Sequence, residues 1–171
     1  KQLIAEVHRN GKIYRQTYSK GKPLTPVEEV GPTDKTGTII TFLPDDSIFT
    51  VTEFNYEILS SRLRELAYLN KGIHLYITDK RELEENGNGN GNGHSTENGK
   101  NGKYVSEHFY SEEGLKEFVA FLDANREKLI DEIIYIDTIK SDVPVEIALQ
   151  YNTSFSENVH SYVNNINTIE G

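Results

Sequence analysis

The chain has 171 residues, of which 36% are hydrophobic and 26% charged, and a formal net charge of −9. That balance is globular, no apolar run approaches the ~20 residues of a membrane-spanning helix, and the absence of cysteine excludes disulfides, thiolate metal sites and cysteine nucleophiles. Methionine is also absent and the chain opens at Lys1, so it is expected to be processed, trimmed or a piece of something longer.

The first predicted element is a hairpin. Leu3, Ala5 and Val7 alternate with Gln2, Ile4 and Glu6. Asn10-Gly11 offers the positive-φ pair of a tight turn, and the return strand runs from Lys12 to Tyr18. The turn cluster Gly31-Pro32-Thr33-Asp34 then leads through Thr36-Gly37-Thr38 into a β-branched and aromatic strand, Ile39 to Leu43, ended by Pro44-Asp45-Asp46. A helix is expected from about Asn55 to Tyr68. Leu59, Leu63, Leu66 and Ala67 form its apolar stripe, Asn55 can cap it, and Lys71-Gly72 can close it. Ile73, Leu75 and Ile77 predict a strand.

From about Glu82 to Lys103 the sequence turns into an Asn-Gly repeat with nothing to bury. It is expected to be a disordered surface insertion, 82–103, which costs little to close. Beyond it come a strand near Val105 to Tyr110 and a helix starting at Ser111, with Glu112 and Glu113 in its first turn and Leu115, Phe118, Val119 and Leu122 as its stripe. Ile133 to Ile136 and Val145 to Tyr151 predict strands joined through Lys140-Ser141-Asp142, and a third strand is expected over Asn158 to Asn164. The order predicts an α+β fold, with a boundary between two units near Asn125 to Lys128.

Chemical motifs are sparse. None of His8, His74, His94, His108 and His160 lies three or four residues from another, so no metal cluster is expected, and His74, His108 and His160 read as residues of polar strand faces. No phosphate-loop, dinucleotide-binding or nucleophile-elbow motif occurs. The pairs Asp45-Asp46 and Glu112-Glu113 fit a turn and a helix start. Six cations against Glu6 give the first 25 residues a net charge of +5, leaving −14 on the rest. Such a basic hairpin can attract phosphate, or its lysines can simply blunt an edge strand.

Six ordered blocks together carry a resemblance: Arg9 to Gln16, Thr33 to Thr38, Thr52 to Phe54 with Ser61 to Gly72, Ser111 to Leu115, Val145 to Asn152, and Ser156 to Thr168. They closely resemble the DNA gyrase B family over almost the whole chain except the Asn-Gly insertion. The corresponding ATPase component of topoisomerase IV is a near relative, and a non-catalytic interaction module with the same fold is the alternative of another class.

The resemblance implies the later half of an ATPase α/β sandwich, of the type shared with certain chaperones and histidine kinases, over 1–126. It implies the start of a transducer domain over 127–171. It further implies an internal fragment of a cytoplasmic enzyme that uses ATP and Mg²⁺ to pass one DNA duplex through another and introduce negative supercoils. Its implied partners are DNA, gyrase A and a second copy of gyrase B in an A₂B₂ assembly, with no membrane. The family's water-activating glutamate, Mg²⁺-holding asparagine, adenine-reading aspartate and phosphate lid have no counterpart in these strings, so no catalytic or metal residue is expected here and the chain alone is expected to be inactive. What carries over is an adenine-pocket floor: Thr38 as a hydroxyl of the adenine network, Gly37 allowing close backbone approach, and Ile40 as apolar wall. Arg9 matches the arginine at the pocket mouth that aminocoumarin inhibitors contact.

Overall fold

A computed structural model describes residues 2–84 and 103–168. The chain divides into two compact units, Lys1–Phe54 and Asn55–Gly171. The first is a five-stranded sheet built from β1 (Gln2–Arg9), β2 (Lys12–Ser19), β3 (Lys22–Pro23), β4 (Glu28–Pro32) and β5 (Gly37–Leu43). β1 lies between β2 and β5, antiparallel to both, while β3 and β4 pair with successive stretches of β2. The β1–β2 turn is formed as its sequence dictates, with Asn10 at φ 54° and Gly11 at φ 76°, the left-handed pair whose twist matches the flanking strands.

The second unit begins with α1 (Tyr56–Leu69). Asn55 caps it as expected, its side-chain oxygen accepting from the Ile58 amide at 3.0 Å. β6 (Leu75–Glu84) and β7 (Lys103–Phe109) form an antiparallel ribbon, followed by α2 (Leu115–Leu122). The strands thus reach Glu84 and resume at Lys103, inside the span expected to be disordered, because β6 and β7 pair with each other at Glu84 and Lys103. The remainder of the Asn-Gly insertion lies outside the described residues.

Helix α2 starts four residues later than predicted. Ser111 to Gly114 form its lead-in, and Gly114 takes φ 63°, a left-handed conformation open to glycine. Its acidic first-turn residue is Glu117, whose carboxylate accepts from the Glu112 and Glu113 amides at 3.0 and 2.7 Å. β8 (Ile134–Lys140) and β9 (Val143–Leu149) form the predicted hairpin, turning through Ser141 and Asp142 at φ 51° and 65°. The strand expected over Asn158 to Asn164 is shorter and doubled. β10 (Tyr162–Val163) and β11 (Ile166–Asn167) flank a left-handed turn at Asn164-Asn165, where two successive positive-φ residues reverse the chain.

The apolar centre of this unit is small. Ala67, Phe109 and Phe118 are its buried hydrophobic side chains among the described residues. Tyr68 stacks on Phe118 with ring centroids 5.2 Å apart, and Arg64 lies over the Phe109 ring. Ser111 is fully buried; its carbonyl accepts from the Gly72 amide at 2.8 Å and its hydroxyl from the Gly114 amide at 2.8 Å. The segment around residues 125–128 lies within the second unit, where Lys128 bridges Asn152 and the Leu129 amide donates to the Tyr151 carbonyl. No helix among the described residues is long and apolar enough to cross a membrane.

Candidate functional site

Strand register assembles the candidate residues. In an antiparallel sheet, directly opposed residues share a face. Thr38 is opposite Val7 and Ile40 opposite Ala5, while Arg9 is two residues beyond Val7 on the same strand. Thr38, Ile40, Val7 and Arg9 therefore occupy one face at one end of the first unit's sheet. Gly37 is opposite His8 and takes φ 152°, which disfavours any side chain, and a Cβ built on it meets nothing within 4 Å. The backbone beside Thr38 is thus open to close approach.

The face is apolar and accessible. Ile40 is 51% exposed and Val7 36%. Val7 and Ile40 together offer a flat hydrocarbon strip, with the Thr38 hydroxyl, able both to donate and to accept, at its edge. Arg9 sits at the turn end of the strip and supplies a cation. This arrangement fits a flat heteroaromatic group with polar edges.

The opposite face of the same sheet carries a polar network. Arg15 donates to Glu6 through Nε at 3.0 Å and through Nη2 at 2.6 Å. His8 lies 3.0 Å from Glu6 Oε1 through Nε2 and 3.0 Å from Thr33 Oγ1 through Nδ1. The Arg15 hydrogen bond, followed by that of His8, holds the Glu6 carboxyl below the usual glutamate range. Its position is readable from the hairpin register, which sets Glu6 opposite Arg15.

The basic hairpin is largely compensated. Lys12 pairs with Glu29 at 2.8 Å, Arg15 with Glu6, and Lys20 with Asp45 at 3.7 Å. Two of those acids lie beyond residue 25, so the +5 of the first 25 residues overstates the local field. A groove of about 1020 Å³ runs through the second unit along α2, β9 and residues 154–165, and neither Thr38 nor Arg9 lines it. Beside it Asn152 donates to both oxygens of the buried Asp123, at 2.8 and 2.9 Å.

Comparison with known proteins gives the site its context. The family model described as DNA gyrase B matches residues 114–171. The chain is 52% identical over 169 residues to the DNA gyrase B protein of Eisenibacter elegans, covering 99% of this chain and 32% of that relative. It is 45% identical over 170 residues to that of Staphylococcus aureus, covering 99% of this chain and 24% of that relative. Among solved structures, the 43K ATPase domain of Thermus thermophilus gyrase B in complex with an aminocoumarin matches with a TM-score of 0.77 at 27% identity, over 98% of this chain and 40% of that one. The fold is thus the α+β fold of gyrase-type ATPase domains. The chain is similar to DNA gyrase B proteins over almost its whole length, and it spans a third or less of the length of these two relatives.

Proposed function

We propose that this chain supplies the adenine-facing floor of an ATP site and the first strands of a transducer, within an ATP-hydrolysing gyrase that negatively supercoils DNA. The observation that carries the reading is the shared face of Thr38, Ile40, Val7 and Arg9 beside the open backbone of Gly37. Adenine is flat and apolar on its faces and polar at its edge, and this strip has the matching chemistry. Thr38 orients the base through its hydroxyl, Ile40 covers one side of it, and Arg9 meets groups at the mouth, including those of aminocoumarins. Bound ATP would supply the phosphoanhydride whose hydrolysis drives the cycle. Mg²⁺ bound with the nucleotide would neutralise its phosphates, and on this reading the residue that holds it belongs to another part of the enzyme.

On this reading the ATPase part covers 1–126 and the transducer part 127–171. The working enzyme is cytoplasmic and assembles with DNA, gyrase A and a second copy of gyrase B. The 171 residues by themselves hydrolyse no ATP, because hydrolysis needs a placed base and metal-held phosphates. Substituting Thr38→Val in the gyrase protein that carries this chain should weaken ATP binding at least tenfold, while Arg9→Ala should weaken aminocoumarin binding and leave ATP binding within about threefold. Unchanged ATP affinity in Thr38→Val, or Mg²⁺-dependent turnover by the purified 171-residue chain, overturns the assignment.

A further inference from the structure

The β6–β7 ribbon has two faces. One, carrying Glu107 and Phe109, meets α1: Ser60 donates to Glu107 at 2.8 Å and Arg64 Nη2 lies 3.2 Å from it. The other carries His74, Tyr76, His108 and Tyr110, all exposed. Tyr76 is opposite His108 in the register, and their rings stack with centroids 4.3 Å apart. His74 stacks on Tyr110 at 4.4 Å. The two imidazoles are near parallel, 13° apart, with centroids separated by 5.1 Å and with Nδ1 of His74 2.9 Å from Nε2 of His108. Rings this far apart with nitrogens this close lie side by side, edge to edge, and each is held in orientation by a tyrosine.

We propose that His74 and His108 form a two-imidazole chelate for a divalent transition ion of the Cu²⁺ or Ni²⁺ kind. Imidazole nitrogens sit about 2.0–2.1 Å from such ions, so two nitrogens 2.9 Å apart subtend about 90° at the metal once each ring turns its lone pair off the nitrogen–nitrogen line, along which both now point, and toward the ion. That is the angle between neighbouring ligands in square-planar or tetragonal coordination, which Cu²⁺ and Ni²⁺ favour. A tetrahedral ion such as Zn²⁺ would need the nitrogens about 3.3 Å apart. The two nitrogens lie at hydrogen-bond distance from each other. On binding the ion both offer lone pairs, His74 as the Nε2–H tautomer and His108 as the Nδ1–H tautomer, so each ring stays neutral. No third His, Asp or Glu joins them among the described residues, which leaves the remaining positions to water or an external donor. The pair is invisible to sequence spacing because its members are 34 residues apart and meet only through the β6–β7 register.

The test is titration of the gyrase protein that carries this chain with Cu²⁺ alone and with Ni²⁺ alone by calorimetry, together with pulsed electron paramagnetic resonance of the Cu²⁺ form. The expected result is one ion per chain, two imidazole nitrogens coupled to the copper, and affinity in the order Cu²⁺ over Ni²⁺ over Zn²⁺. His74→Gln and His108→Gln should each weaken binding at least tenfold with an unchanged circular dichroism spectrum, while His8→Gln and His160→Gln stay within twofold of the parent. Retained affinity in both His74→Gln and His108→Gln, a copper spectrum with fewer than two imidazoles, or an equal loss in His160→Gln overturns the proposal.

Discussion

Tyr162 donates its phenolic proton to Glu65 at 2.5 Å, joining the β10–β11 turn to helix α1 across 97 residues of chain. Arg62 pairs with the same Glu65 and reaches the Asn165 carbonyl through Nη2 at 2.6 Å, and Asn165 in turn donates to Asn70 at 3.0 Å. A hydrogen bond to a charged acceptor contributes about 1.5–3 kcal/mol. Tyr162→Phe is therefore expected to lower unfolding stability by that order. In a double-mutant cycle with Glu65→Gln the two losses should fall short of additivity, measured by urea denaturation.

Acid should weaken the first unit through Asp45. Its carboxyl is 6% exposed. It accepts from the Ser47 hydroxyl at 2.7 Å and the Ser47 amide at 3.0 Å. These bonds, with Lys20 nearby, bring it from 3.8 down to about 2. A carboxyl with a depressed folded-state value stabilises the fold above its unfolded value and loses that contribution as pH falls through the folded one. The loss should appear between about pH 4 and pH 2. Asp45→Asn should lower the melting temperature at pH 7 and flatten the melting-temperature profile across that acid window.

Phe118 is the packing centre of α2. It is 7% exposed, stacked on Tyr68 and tilted against His160 and Tyr162. Phe118→Ala removes a buried ring and leaves a cavity, so a loss of about 3–5 kcal/mol is expected in chemical denaturation. Phe118→Leu, which keeps most of the volume, should lose less.

Strand β5 presents Ile39, Ile40, Phe42 and Leu43 at 51–63% exposure, and β1 is its one ladder partner among the described residues. Exposed apolar edges invite strand-to-strand association. Light scattering by the purified chain should rise with concentration, and Ile39→Lys, on the face away from Thr38, should suppress the rise. A monodisperse parent chain with a cooperative thermal transition would count against this.

Local chemistry made much of this fold legible. Asn10-Gly11 specified its turn, Asn55 its cap, and the alternation in Val145 to Leu149 its strand. In each case the determining residues lie within one or two turns of chain. The candidate site was named through the family resemblance, since Thr36-Gly37-Thr38 by itself reads as a strand entry, and the gathering of Gly37 and Thr38 with Arg9 needed the β1–β5 register. The His74–His108 contact was not legible, since it depends on pairing across the insertion. The two-residue strands β10 and β11 escaped periodicity because a period needs more residues than they contain. Helix α2 began late because the buried Ser111 and the left-handed Gly114 occupy the positions where a first turn would otherwise form.

Ser111 binds the ends of two helices through one residue, its carbonyl on Gly72 after α1 and its hydroxyl on Gly114 before α2. Neither glycine lies inside a helix or strand, yet each amide ends on a residue with no solvent contact. Their protons can reach water only when this junction opens. In deuterium exchange Gly72 and Gly114 should be protected like the interior of the helices, and Ser111→Ala should release Gly114 while leaving Gly72 slow. A pair of connector glycines would then report, amide by amide, on whether α1 and α2 come apart together or one at a time.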